Sequence, residues 1–295
     1  MKCKICDCDH AIIEYQGPIR NGRLGNYTNN SVTMWKCERC NVIWHEKVIT
    51  DLEEYYESKE YRNALEGSSE EKDFYRLHDK ETLDKFNYTS TSIFRGKTIA
   101  DIGCGCGAFL DFLKGVGKDI IAIEPSEIYR KILKSKGYHT YAYAKDAKTD
   151  WKNKIDIITS FDVIEHVKDP RIYLKEVFEL LSEDGQAIIG TPTDAPIMRR
   201  LLGKIYEMKL LFSTQHLWIF SEKSLLLMAQ EAGFSKIRIK YFQRYGIENL
   251  LGWLREKEAQ ADIDDSCVTG AVNNVWKEEC SREKSSDYIV LYLDK

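Results

Sequence analysis

IADIGCGCG, Ile99 to Gly107, sets three glycines directly behind a short apolar run and in front of an apolar helical pattern. A chain that leaves a buried strand and enters a helix within a few residues must turn tightly. Glycine permits that turn and lets the backbone come close to a ligand. Bare amides then line the end of the strand. Seventeen residues past Gly107 the next apolar run ends in Glu124, placed to accept hydrogen bonds from both hydroxyls of a ribose. The glycines alone would serve packing equally well; the paired acidic side chain points to a nucleoside.

Outward from this loop, short β-branched runs alternate with amphipathic helical patterns, the texture of successive βαβ units. The pattern predicts strands at Thr98 to Ile102, Ile120 to Glu124, His139 to Tyr143, Ile155 to Ser160, Gln186 to Thr191, Lys236 to Tyr241 and Tyr288 to Leu293. Helices fall between them. Ser126 is the expected cap of the helix that stops at Gly137. Asp169 is the expected cap of a helix with Pro170 at its first position, an apolar face of Leu174, Val177, Phe178 and Leu181, and Gly185 as its stop.

These three signals, GCGCG after a strand, Glu124 at the end of the next, and SFDVIEHVKDP from Ser160 to Pro170, together resemble a class I S-adenosylmethionine-dependent methyltransferase over about Lys80 to Lys295. A nicotinamide enzyme typically has two residues between its second and third glycines. This loop has one. The resemblance implies an α/β fold with a Rossmann-like seven-stranded sheet, its last strand antiparallel, and S-adenosylmethionine across the carboxyl ends of the first strands. By position it implies that Asp101, Gly103 and Gly105 shape the methionine end and that Glu124 holds the ribose. It further implies that Asp146 meets the adenine amino group and that Phe161 with Asp162 closes the far side.

Methyl transfer is an in-line displacement, so the protein must align donor and acceptor and remove a proton where the acceptor carries one. Glu165 and His166 follow the fourth predicted strand, where an imidazole tuned near neutrality suits a base and an adjacent carboxylate can orient it. The same residues would also serve to cap the following helix. The chain resembles nucleotide-sugar C-methyltransferases at both ends; there the matching Glu-His pair lies in the sugar site, with the histidine as base. That family's tyrosine two positions before the glutamate is Val163 here, which favours an O-methyl acceptor over C-methylation of a ketosugar. His216, in QHLWIFSEKSLLLMAQEAGF, resembles a histidine facing the acceptor pocket, and a packed core histidine reads the same way. Tyr55, Tyr56, Tyr61, Arg62, Tyr75 and His78 precede the core, in the region where related enzymes fold a helix over the cofactor.

Nine cysteines are an odd number, and their grouping does not suit a disulfide framework in a chain of 295 residues. Cys3-x-x-Cys6 and Cys37-x-x-Cys40 present two pairs of thiolates, the donor set of a closed tetrahedral zinc site, structural because it leaves no open position. Cys8 and His10 are spaced less well and stay outside. Between the pairs, YQGPIRNGRLGNYT from Tyr15 to Thr28 carries Arg20 and Arg23 among glycines, a loop able to cradle a phosphate and equally an ordinary surface loop. The composition divides the chain into a zinc-binding module at 1–50, a charged helical connector at 51–85, and a methyltransferase domain at 86–295 with a polar insertion at 246–286.

With 43 basic and 47 acidic side chains the net charge is −4, so no overall positive field draws the molecule to a polyanion. This argues against nucleic acid and against the reading of the cysteine module as an RNA-binding finger on a base methyltransferase. Met1-Lys2-Cys3-Lys4 lacks a hydrophobic signal core and the apolar runs are short, so a cytoplasmic protein without membrane insertion is expected. The expected partner is a small polar, phosphate-bearing acceptor. A nucleotide-linked sugar of surface polysaccharide or secondary metabolism is the leading class, with a quinone or phenol as the alternative.

Overall fold

The computed structural model describes residues 1–47, 52–57, 71–259 and 268–295. Tyr61 and Arg62 lie outside them. In chain order the strands are β1 (Ala11–Gly17), β2 (Val32–Cys37), β3 (Ile43–His45), β4 (Thr98–Ile102), β5 (Asp119–Ile123), β6 (His139–Tyr141), β7 (Ile155–Phe161), β8 (Leu181–Pro192), β9 (Trp218–Ile219), β10 (Lys236–Phe242) and β11 (Tyr288–Asp294). The helices that bear on function are α1 (Leu52–Glu57), α2 (Glu71–Thr89), α3 (Ala108–Leu113), α4 (Glu127–Ser135), α5 (Ala144–Trp151) and α6 (Pro170–Leu180). Among the described residues no helix is long and apolar enough to cross a membrane.

All seven strands expected from the alternating pattern form one mixed sheet of order β10-β11-β8-β7-β4-β5-β6. Parallel pairing runs from β6 through β5, β4 and β7 to β8. β4 is buried along its whole length, as a strand covered on both faces must be. The chain walks from β4 to β5 and β6 on one side, then returns to β7 and β8 on the other. The strand order thus reverses between β4 and β7, and open α/β sheets bind ligands at the carboxyl ends of the strands that flank such a switch point.

Local chemistry explains the boundaries. Asp169 caps α6 as its sequence demands: the carboxylate accepts the amides of Arg171 at 2.9 Å and Ile172 at 3.1 Å. Such a cap stabilises a helix by about 1 kcal/mol. Gly137, at φ +83, ends α4 in the left-handed conformation. Two expectations are corrected. Ser126 stands at the cap position of α4, but its hydroxyl makes no capping bond, and its own amide is donated to Glu124. Gly185 is not the stop of α6: the helix ends at Leu180, Leu181 already pairs with Ile155, and Gly185 lies inside β8. The register shifts there before Ile157 meets Gln186, and a Cβ at Gly185 would stand 2.9 Å from the Ile155 carbonyl.

The chain divides into two compact units. One gathers Met1–Thr50, Thr191–Leu225 and Ile239–Val290; the other gathers Asp51–Gly190, Leu226–Arg238 and Leu291–Lys295. In the first, β1, β2, β3 and β9 form an antiparallel sheet in that order, with Trp44 opposite Trp218 and Ile43 opposite Ile219. Its core joins Tyr15, Ile19, Met34 and Ile43 to Met198, Phe212, Leu250 and Trp253. The cysteine-bearing segment therefore does not build a core from residues 1–50 alone. Where described, the 246–286 stretch forms helices at Ile247–Glu256 and Gly270–Arg282.

Candidate functional site

The loop after β4 has the backbone its glycines allow. Gly103, Gly105 and Gly107 all have positive φ, at +78, +56 and +89. A Cβ on Gly103 would stand 2.4 Å from Val163 Cγ2, and one on Gly105 2.4 Å from Phe74 Cζ. Backbone freedom and close approach are thus both required. Glu124, 4% exposed, lies just past the end of β5. Its Oε2 accepts the Gly105 amide and its Oε1 the Ser126 amide, each at 2.9 Å. A carboxylate offers about four acceptor positions, the number that two amides and a ribose diol use together.

Asp101, at the end of β4, is 2% exposed and accepts from Thr159 Oγ1 at 2.7 Å. Burial raises its pKa, and the positive charge of Lys85 opposes that rise. Lys85 comes from α2, with Nζ 5.7 Å from the ring centres of Phe109 and Phe161. The same helix brings Phe74 over Gly105, where its ring lies 4.3 Å from that of His78 and 5.4 Å from that of Tyr129. Tyr75 donates to the Cys106 carbonyl at 3.0 Å. Phe74 and Lys85 escaped sequence reasoning. The available signal was the spacing of Phe74 and His78, four apart and so on one helix face. Two buried carboxylates at adjacent strand ends and an amide-lined turn fit a ligand with an amino group and a ribose diol, the donor set S-adenosylmethionine requires.

Asp146 lies in the first turn of α5, exposed, with Oδ2 accepting the Tyr143 amide at 3.0 Å. Phe161 is buried at the end of β7. Asp162 follows it in the left-handed region at φ +56 and donates its amide to the Gly190 carbonyl at 3.0 Å.

Glu165 and His166 lie on a single 3-10 turn, Ile164–His166, just past β7. Glu165 is 1% exposed, and its Oε1 stands 3.8 Å from His166 Nε2. His166 Nδ1 is 2.9 Å from the Tyr56 hydroxyl, a contact supplied by α1. If Nδ1 carries the ring proton and donates it to the tyrosine oxygen, Nε2 keeps its lone pair. That nitrogen then has a carboxylate beside it to stabilise the imidazolium once a proton arrives.

His216 belongs to the other unit. Its amide donates to Ser213 Oγ at 3.2 Å, and its carbonyl accepts from His45 Nε2 at 2.9 Å. His45 Nε2 also reaches the Ser213 carbonyl at 2.9 Å, so the ring proton sits on that nitrogen. Burial lowers the pKa of His45, which stays neutral.

Cys3, Cys6, Cys37 and Cys40 are all buried and close together. Sγ–Sγ separations are 3.7 Å for Cys3–Cys40 and 3.4 Å for Cys6–Cys37. A tetrahedral zinc with Zn–S of about 2.3 Å sets its sulfurs roughly 3.8 Å apart. The two knuckles repeat one local geometry. The amide of Asp7 bonds the Cys3 carbonyl and that of Asn41 the Cys37 carbonyl, both at 3.0 Å. Both residues are left-handed, at φ +57 and +58. Amides also point at sulfur, Ile5 to Cys3 and Arg39 to Cys37 at 3.4 Å. The donor set and its turns fit a metal. Cys8 takes the His10 amide at 3.4 Å and is not part of this group.

A mixed, mostly parallel α/β sheet with a left-handed glycine turn at its switch point and a buried acidic residue past the next strand is an architecture that S-adenosylmethionine-dependent methyltransferases share with other nucleotide-binding folds. The family described as "Methyltransferase domain" matches residues 73–239, more than half of this chain, and the chain belongs to that family. Curated relatives are more distant. The mitochondrial ubiquinone biosynthesis O-methyltransferase of Schizosaccharomyces pombe is 25% identical over 40% of this chain and 44% of its own length. The corresponding enzyme of Thiobacillus denitrificans is 26% identical over 55% of this chain and 74% of its own length. The chain thus spans less than half of the length of the first two such relatives. Among solved structures, S-adenosylmethionine-dependent methyltransferases from Thermotoga maritima and Archaeoglobus fulgidus each superpose with a TM-score of 0.50. They are 20% and 19% identical, covering 76% and 80% of this chain and 93% and 98% of theirs; this likeness shows the fold.

Proposed function

We propose that this chain methylates a hydroxyl of a small polar, phosphate-bearing acceptor, a nucleotide-linked sugar being the class that best suits its residues. The observation that carries the reading is the Tyr56–His166–Glu165 arrangement just past β7, at the sheet edge that also bears the glycine loop. Bound S-adenosylmethionine supplies an electrophilic methyl group. The chain's own residues do the rest. Asp101, Gly103, Gly105 and Glu124 hold and orient the donor, with Asp146 toward the adenine and Phe161 and Asp162 on the far side. Tyr56 fixes the ring of His166 through Nδ1, His166 Nε2 takes the acceptor's hydroxyl proton, and Glu165 stabilises the charged ring. His216 contacts the acceptor. Cys3, Cys6, Cys37 and Cys40 hold a structural zinc that shapes the first unit.

A second reading, O-methylation of a quinone or phenol, draws on the curated relatives, which are ubiquinone biosynthesis O-methyltransferases. It also uses a base on oxygen. Release of S-adenosylhomocysteine from a pool of nucleotide sugars and from a pool of catechols separates the two. Removing a general base typically slows turnover by about 10²–10⁴-fold, and His166→Gln is expected to do so. Full activity in that variant would remove His166 from the chemistry.

A further inference from the structure

In the first unit, the stretch from Phe212 to Ser221 is tied at both ends to the cysteine-bearing segment. At its start the Phe212 carbonyl accepts the Arg20 amide at 3.1 Å, and the Thr214 amide donates to the Arg20 carbonyl at 3.0 Å. The Thr214 hydroxyl donates to Asn21 Oδ1, also at 3.0 Å. At its end Trp218 and Ile219 pair with Trp44 and Ile43, and Ser221 Oγ donates to the Cys40 carbonyl at 2.5 Å. Between these ties, residues 214–217 lie outside any strand, so side chains must satisfy their backbone. Two of them close the turn. Ser213 Oγ accepts the amides of Gln215 at 3.3 Å and His216 at 3.2 Å. His45 Nε2 stands 2.9 Å from each of two carbonyl oxygens, those of Ser213 and His216.

Carbonyls only accept, so one ring proton is shared between them. The other ring nitrogen, Nδ1, is buried and has no hydrogen-bond partner among the described residues. A phenylalanine would fill the same space without stranding a polar atom there, but it would leave both carbonyls unmet. The histidine is therefore explained by the bridge it makes and not by packing. Resting on the reading that His216 contacts the acceptor, we infer that His45 is the positioning residue of that contact. Its Nε2–H joins two carbonyls three residues apart and fixes the backbone leading into His216 and Trp218, both of which line a cavity of about 160 Å³. His45 ends β3, which follows the second cysteine pair, so the cysteine-bearing segment bears on acceptor binding through this one side chain. A residue that places a binding contact changes KM for the acceptor and leaves kcat alone.

The test uses the full chain with its six histidines labelled with ring nitrogen-15, and compares the parent with His45→Phe and His45→Gln. Glutamine offers an amide N–H at about the reach of Nε2 and serves as the rescue. In the parent, His45 is expected as the neutral Nε2–H tautomer. His45→Phe is expected to move the His216 ring resonances while those of His139 stay in place, and His45→Gln to return them toward the parent positions, with circular dichroism as the folding control. With uridine diphosphate glucose or catechol, whichever turns over, His45→Phe is expected to raise the acceptor KM at least fivefold, with kcat and the Kd for S-adenosylmethionine within twofold of the parent; His45→Gln is expected to recover the KM. An Nδ1–H tautomer, His216 resonances unmoved in His45→Phe, or a KM loss that glutamine does not recover overturns the inference. Absence of turnover with both acceptors is failure of the proposed function instead, and the tautomer and resonance comparison then decides the role of His45 by itself.

Discussion

Gly105→Ala isolates the physical demand of the cofactor loop. The residue sits at φ +56, and an added Cβ would lie 2.4 Å from Phe74 Cζ and 2.6 Å from Cε2. Placing an L-residue in the left-handed region costs about 1–2 kcal/mol. Overpacking of a fixed neighbour adds about 1–3 kcal/mol. Phe74 is such a neighbour: it is 5% exposed and confined by the rings of His78 and Tyr129. The expected loss is therefore about 2–5 kcal/mol in stability. Urea unfolding of the parent, Gly105→Ala, Phe74→Ala and the double variant separates the two components. Phe74→Ala alone is expected to cost about 3–5 kcal/mol, as truncation of a buried phenylalanine does. In the double variant the clash is gone while the backbone penalty remains, so the cycle should show a favourable coupling of about 1–3 kcal/mol. A Gly105→Ala loss below about 1 kcal/mol, or strict additivity, would refute the close approach of α2 to the loop.

Three further outcomes follow from the remaining sites. The purified chain is expected to hold one zinc per molecule by elemental analysis, and Cys37→Ser or a strong chelator should lower its thermal midpoint, because a structural four-cysteine site contributes on the order of 10–16 kcal/mol of apparent folding free energy; metal-free protein indifferent to the chelator would contradict the site. Tyr56→Phe removes the partner of His166 Nδ1 and should shift the acidic limb of the kcat/KM profile while leaving donor affinity within twofold, whereas an unchanged profile would make Tyr56 a packing residue. His45 is held neutral by burial, with a pKa below its ordinary 6.5. The unfolded chain therefore takes up a proton below pH 6.5 that the folded chain refuses; the stability contribution is full above that pH and is lost as pH falls. His45→Gln is expected to flatten the fall of denaturation midpoint below pH 6.5, and an identical slope would place the acid sensitivity elsewhere.

The parts of this molecule that announce themselves in sequence are those governed by local rules. β4, β5 and β7 are short runs rich in isoleucine that are followed by glycine or an acidic residue, and Asp169-Pro170 marks a helix start that the structure reproduces down to the accepting carboxylate. The two cysteine knuckles are equally plain, down to Asp7 and Asn41 just after them, residue types that tolerate the left-handed turn each knuckle needs. What stayed hidden is non-local. Pairing of Trp44 with Trp218 carries no periodic signal. Nor does the convergence of Arg20, Trp218, Arg244 and Asp287 on one cavity, whose residues come from four distant segments. Ser126 shows the limit of local rules themselves: the residue type suits a cap, yet the buried Glu124 carboxylate, two residues back, takes its amide while its hydroxyl caps nothing. Phe74 was missed because a helix with a weak apolar face gives little reason to single out one ring, and its role appears only once Gly105 is seen beneath it.

The proposed function requires that the turn after β4 and the carboxylate past β5 together grip S-adenosylmethionine. Isothermal titration of the full chain with S-adenosylmethionine, run beside Glu124→Ala, addresses it directly. Saturable one-to-one binding in the parent, weakened at least tenfold in the variant, is the expected result. A parent that takes up no S-adenosylmethionine, or a Glu124→Ala chain that binds it equally well, would contradict the account.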